Sequence, residues 1–321
     1  MITIAALTLP SLSATATVIL SERFTDGDLG FGSDANDGGF LRQQGISQTM
    51  SIVSDNVIGN GNAMAYSNQV NGTLVVGRLQ SPAVLGTNVG DEIEFSFDFR
   101  MTQLPTSPNS SIFRFGLYNH AGASPTDGGA QTDPDNGYSD NFGAGGSPGD
   151  AGWGKESGGA DGLLGGLGAA SVPGGTTIQP VDINDTARHH ALCRLTRTAG
   201  GIALATFFDD TQVDSASDNS GPFISFNEIA FRLTGQAAAN YDNIIVQTLS
   251  EPLLNIRLTT TNTVAVSWPS PWTGFTLQQN TNGIISVNWS NLTSGILDDG
   301  STKTLIVNPP VGNRFYRLFK P

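Results

Sequence analysis

The chain has 321 residues, with 28 acidic against 15 basic side chains and a formal net charge of −13. Only 13% of its residues are charged, while glycine (40) and proline (16) are plentiful. No basic face is available to displace counterions from phosphates, so nucleic acid is excluded as an expected partner; no run reaches the ~20 apolar residues that span a bilayer, so no membrane insertion is expected.

Residues 1–16 are apolar, then rich in Ser and Thr, and end Ala14-Thr15-Ala16. This fits a secretory leader whose basic start is missing, and predicts a secreted or cell-surface protein. Val18–Phe24 reads as an early strand. Asn71-Gly72 lies between two strand-like runs and supplies the positive backbone angles of a tight hairpin. From Asp91 to Phe99 the chain alternates, sending Ile93, Phe95, Phe97 and Phe99 to one side and Glu92, Glu94, Ser96 and Asp98 to the other. Residues 112–118 repeat the pattern. Residues 121–175 hold 18 of the 40 glycines and read as a long loop over a sheet edge or face. Ala199-Gly200-Gly201 joins His190–Thr198 to Ile202–Phe208, and further strands read at Glu228–Leu233 and Asp242–Gln247. Many short strands between turns predict an all-β fold, an antiparallel two-sheet sandwich. Up to Ser250 there are 25 acids and 10 bases, and from Glu251 onward three acids and five bases; this shift across Glu251-Pro252 predicts a domain over 17–250 and a second over 251–321.

Candidate sites come from oxygen-rich turns and aligned acids. Asp133, Asp135 and Asp140 flank Asn136-Gly137, as in loops that gather hard oxygen ligands for calcium. Asp26, Asp28 and Asp242 form a second calcium candidate if the first and last strands of the domain lie side by side, since carboxylates packed together call for a cation. Glu92, Glu94 and Asp98 share a strand face and are the catalytic candidates for glycoside hydrolysis, which needs two carboxyls. His189 and His190 point to opposite faces of a strand and cannot act jointly. Cys193 alternates with Ala191 and Leu195, which predicts a buried thiol. In the Gly-rich segment, Tyr138, Phe142 and Trp153 have few apolar neighbours in sequence, and exposed rings there would stack on sugar faces. No serine-hydrolase elbow, zinc-protease helix or phosphate-binding loop is present.

The run from Arg188 through His189, His190, Ala191 and the Gly200 turn to Phe207-Phe208-Asp209-Asp210 resembles the laminin-G/concanavalin-like hairpin, with Arg188 where that family has Trp. Together with Phe113-Arg114-Phe115-Gly116-Leu117-Tyr118 and the end strand Asp242–Val246, it is similar to secreted jelly-roll domains of planctomycete and verrucomicrobial type. The tail, with Val264–Pro269, Phe275–Gln279, Asn288-Trp289-Ser290 and Arg314–Leu318, resembles a small immunoglobulin- or fibronectin-III-like module with Trp268 as its buried tryptophan. The resemblance implies a glycan-binding protein stabilised by calcium. Glu94, Asp98, Arg114 and Tyr118 would hydrogen-bond hydroxyls on one face, with Tyr138 and Trp153 as stacking rings. A polysaccharide hydrolase or lyase using Glu92, Glu94 and Asp98, and an adhesive surface protein, are the alternatives.

Overall fold

The computed structural model describes residues 16–319 except 33–35, 44–48, 60, 68–73, 109–112, 121–125, 129–134, 144, 146–151, 158–169, 173–175, 178–181, 251, 253, 271–274 and 284–286. The chain divides into two units, Thr17–Leu249 and Ser250–Pro321. Each is built of antiparallel strands, and no helix among the described residues is long and apolar enough to cross a membrane.

The first unit runs β1 (Thr17–Glu22), β2 (Gly39–Gln43), β3 (Thr49–Asp55), β4 (Gly61–Ser67), β5 (Leu74–Val84), β6 (Glu92–Gln103), β7 (Phe113–His120), β8 (Asp135–Phe142), β9 (Gly154–Ser157), β10 (Ala170–Ser171), β11 (Thr176–Thr177), β12 (His189–Arg197), β13 (Ile202–Phe208), β14 (Thr211–Asp218), β15 (Ser225–Leu233) and β16 (Ala238–Leu249). Sheet A has the order β11-β14-β13-β12-β6-β16-β4-β3, with β1 also on β16; sheet B has the order β10-β9-β8-β7-β15-β5-β2. The two form a jelly-roll sandwich whose core is aromatic. Phe95, Phe97 and Phe99 of β6 meet Phe113 and Phe115 of β7 and Phe231 of β15, with Phe97 and Phe231 centroids 4.9 Å apart and nearly perpendicular. Each such buried ring contributes about 1.5 to 3 kcal/mol, so the alternation along β6 sets which of its faces is sealed.

Local chemistry explains the turns. Asp209 and Asp210 link β13 to β14 with φ of 48° and 64°, the two left-handed residues of a type I′ hairpin whose twist matches its strands. Cys193 is buried beside Ala191 and Leu195, and burial pushes its thiol well above the ordinary range.

Two expectations need correction. Asn71 and Gly72 lie outside the described residues, but β4 belongs to sheet A and β5 to sheet B, so the strands on either side do not form a hairpin. The Gly-rich segment is also more than a loop, because β8, β9 and β10 extend sheet B beyond β7. Its small residues are required there: a Cβ on Gly137 would strike the Leu117 carbonyl and the Tyr118 ring.

The second unit has β17 (Asn255–Leu258), β18 (Val264–Pro269), β19 (Thr276–Asn280), β20 (Ser290–Asn291), β21 (Ile296–Asp298), β22 (Thr302–Val307) and β23 (Phe315–Phe319). They form sheets β17-β18-β22-β21 and β20-β19-β23 around Val264, Val266, Trp268 and Leu277.

Candidate functional site

β6 lies between β12 and β16, and its outward acids meet basic and amide side chains across the strands. Arg194 donates to Glu94 at 2.7 Å and its Nε lies 3.6 Å from Glu92. Thr196 donates to Glu92 and Gln247 to Glu94. These cross-strand pairs, worth about 0.2 to 1 kcal/mol each, knit the sheet. Asp98 is buried, with Arg188 Nη2 at 2.8 Å, His190 Nδ1 at 2.9 Å and Asn243 Nδ2 at 2.7 Å. Burial works to raise its pKa, but hydrogen bonds from His190, Asn243 and Arg188 outweigh it and hold the carboxyl below the usual range. His189 sits on the other face, buried against Phe99.

Beside Asp98 the sheet opens. Residues 238–241 of β16 pair with β4, whereas 244–248 pair with β1. Between them the register against β6 shifts from Asp242 to Ile245, and Asn243 takes a left-handed φ of 50°. Bulges of this kind re-aim side chains. Where β16 changes partners there is a pocket of about 430 Å³, lined by Arg23, Thr25, Val57, Arg188, Asp242 and Asn243 among others. Gly59 leaves room for the Asp242 carboxylate, with which a Cβ there would collide. Burial pushes Asp242 up to about 6, helped by the charge of Asp98 and opposed by the Asn243 N–H, Arg23 and Arg188. The pocket thus offers two guanidinium donors, the Asn243 amide oxygen as an acceptor, its nitrogen being turned to Asp98 and the Ile58 carbonyl, and a carboxyl acceptor.

On the outer face of sheet B, Glu228 lies across from both Tyr118 and Arg78, and His120 across from Asp135. All but Arg78 are buried. Burial and the charge of Asp135 push Glu228 up to about 8, against the pull of His120 and Arg78.

This arrangement splits the expected ligand set. Glu94 and Asp98 are on the outer face of sheet A, whereas Arg114, across from Asn141 and Arg232, and Tyr118 are on the outer face of sheet B; the whole sandwich separates them, so they cannot share one ligand. Tyr138 and Trp153 are buried in the core. Tyr138 pairs with inward-facing Leu117, and its hydroxyl donates to Asp218 at 2.6 Å and accepts from the Phe223 N–H, so neither ring is a stacking platform. Phe142 is buried likewise.

Neither aspartate set gathers. β1 does lie beside β16, yet Asp26 and Asp28 are exposed and accept from the N–H groups of Asp28 and Gly30 as turn formers, while Asp242 faces the pocket. Asp133 lies outside the described residues. Asp135 and Asp140 point to opposite faces of β8, because the parity of a strand separates odd from even positions. Asp140 is inside the core, accepting from Thr206 at 2.5 Å, and both burial and the charge of Asp214 raise its pKa well above the ordinary value. Among the described residues, the group that brings three metal-capable side chains together is His120, Asp135 and Glu228. Sequence reasoning missed the pocket's Arg23, Arg188 and Asn243; Arg188, standing where the resembled family has Trp, was the one visible signal.

No protein-family model and no curated protein matches the sequence. Among solved structures the chain is similar to a carbohydrate esterase of the Shiga toxin-encoding bacteriophage phi24B, at 13% identity over 74% of this chain and 100% of that one, with a TM-score of 0.42. It is similar also to a Bacillus subtilis protein of unknown function with a galectin-like fold (12% identity, 64% of this chain and 91% of that one, TM-score 0.39). A third is the lectin I of Ulex europaeus, solved with a methyl fucoside (12% identity, 66% and 98%, TM-score 0.37). With likeness at this level, function rests on the residues themselves.

Proposed function

We propose that the protein binds glycan without cleaving it, in the pocket where β16 passes from β4 to β1. The observation that carries this reading is the convergence of Arg23, Arg188, Asp242 and Asn243 on a space of about 430 Å³, within the range of small-molecule sites. A sugar hydroxyl both donates and accepts, and this set supplies both partners at once, while Val57, 54% exposed, offers an apolar wall to C–H groups. Binding is favoured over hydrolysis by the engagement of Glu92, Glu94 and Asp98 in cross-strand bonds. Four residues of extended chain also set Glu94 and Asp98 about 13 Å apart, beyond the ~5 to 9.5 Å of paired glycosidase carboxyls, while Glu92 and Glu94, about 7 Å apart by the same rise, share the Arg194 guanidinium.

The test is a glycan array of the full chain, followed by calorimetry on each saccharide retained. Arg188→Met and Asp242→Asn are expected to weaken retention at least about tenfold, as loss of a charged hydrogen bond of roughly 1.5 to 3 kcal/mol does. A retained saccharide indifferent to both changes, or no saccharide retained at all, would contradict the reading. One observation favours a second reading: Asp98 and Asp242 lie directly across from each other with pKa values driven apart, the pattern of an acid and base pair. Release of reducing ends that Asp242→Asn abolishes would replace binding by hydrolysis.

A further inference from the structure

We propose that His120, Asp135 and Glu228 form a site for one divalent transition-metal ion of the zinc class, on the outer face of sheet B and separate from the glycan pocket. One donor atom from each residue lies within 4.8 Å of the other two, and all three side chains are buried. His120 Nδ1 is 2.7 Å from Asp135 Oδ1, and parting them by under an ångström gives the edge, about 3.3 to 3.6 Å, of a tetrahedral shell with bonds of about 2.0 to 2.2 Å.

The backbone holds these groups in place. The Asn227 side chain accepts from the His120 N–H at 2.8 Å and donates to the His120 carbonyl at 3.1 Å, holding the backbone of His120 through both of its polar groups. Asn227 sits where the register of β15 against β5 shifts between Phe226 and Glu228, and such irregularities re-aim the side chain that follows. Here that side chain is Glu228, 1% exposed, whose Oε1 has no hydrogen-bond partner.

Charge points the same way. Asp135 and Glu228 are both buried, and Glu156 is buried on the same cross-strand row beyond Tyr118 and Gly137. Arg78 stands across from Glu228 on the same row. A dication bound between the neighbouring carboxylates of Asp135 and Glu228 would relieve the repulsion between them. Buried charges are otherwise paired or protonated. The imidazole selects within the dications: carboxylates alone suit calcium or magnesium, whereas a nitrogen donor among oxygens suits zinc and its neighbours.

The full chain, stripped with chelator and dialysed against Zn²⁺ or Co²⁺, is expected to take up one ion per chain at this site, to gain thermal stability, and to show the visible absorption bands of Co²⁺ held by nitrogen and oxygen. Glu228→Gln, which keeps the shape, is expected to lower affinity at least about tenfold while leaving glycan retention unchanged. Uptake that stays sub-stoichiometric in the wild type, equal uptake by wild type and Glu228→Gln, or stabilisation by Ca²⁺ as strong as by Zn²⁺ would each overturn the proposal. Should Glu228→Gln fail to fold, the Co²⁺ bands of the wild type decide.

Discussion

Two strands near the middle of the sandwich carry acids at similar density and treat them in opposite ways. On β6, Glu92, Glu94 and Asp98 face outward and each finds partners on β12 or β16. On β8, Asp140 turns into the core, where its neighbour is another acid, Asp214 of β14, and both are pushed above the ordinary carboxylate range, first by burial. A strand's acids are therefore not equivalent; what stands across the sheet or across the core decides whether each is an anion in a ladder or a proton holder.

Three changes probe that contrast. Asp98→Ala has the largest expected effect: it strands the Asn243 amide and the Arg188 guanidinium beside a buried position, and a loss of about 2 to 3 kcal/mol is expected in urea unfolding, given the cost of orphaned buried partners and the partial exposure of Arg188. A loss indistinguishable from that of Glu94→Gln would show that the three donors do not hold the sheet.

Asp214→Asn probes the other strand. Because the folded pKa values of Asp140 and Asp214 are raised, the folded chain keeps protons that the unfolded chain releases. Their contribution is full below about pH 4 and is lost as pH climbs through the folded values. Replacing one acid by its amide is expected to make the protein more stable at neutral pH and to flatten the fall in unfolding free energy between acidic and neutral pH. An unchanged slope would mean the two carboxyls do not sense each other. Glu94→Gln should do least, costing under about 1 kcal/mol, since Arg194 is 31% exposed and pairs in that setting are weak and screened by salt.

The same contrast explains what could be read from the residues in order. β6 was legible because four apolar residues alternate with polar ones, and the β12–β13 hairpin because two glycines stand between two strand-like runs. The opposite facing of His189 and His190 followed from strand parity alone. β8 was hidden: Asp135-Asn136-Gly137 has the composition of a turn, and only the close passage of Leu117 and Tyr118 makes a glycine fit a strand there. The pocket was hidden for another reason. Arg23, Arg188 and Asp242 are far apart along the chain, and what joins them is the exchange of β4 for β1 along β16, a matter of sheet order that no local spacing encodes. His120 and Glu228 were missed likewise, meeting across the β7–β15 pairing with over a hundred residues between them.

A crystal structure of the full chain with a saccharide retained on the array tests the central claim most directly. The account predicts a sugar ring against Arg188, Asp242 and Asn243, its hydroxyls within about 3.2 Å of their polar atoms. A sugar seated instead on the outer face of sheet B, or on the second unit, would contradict it.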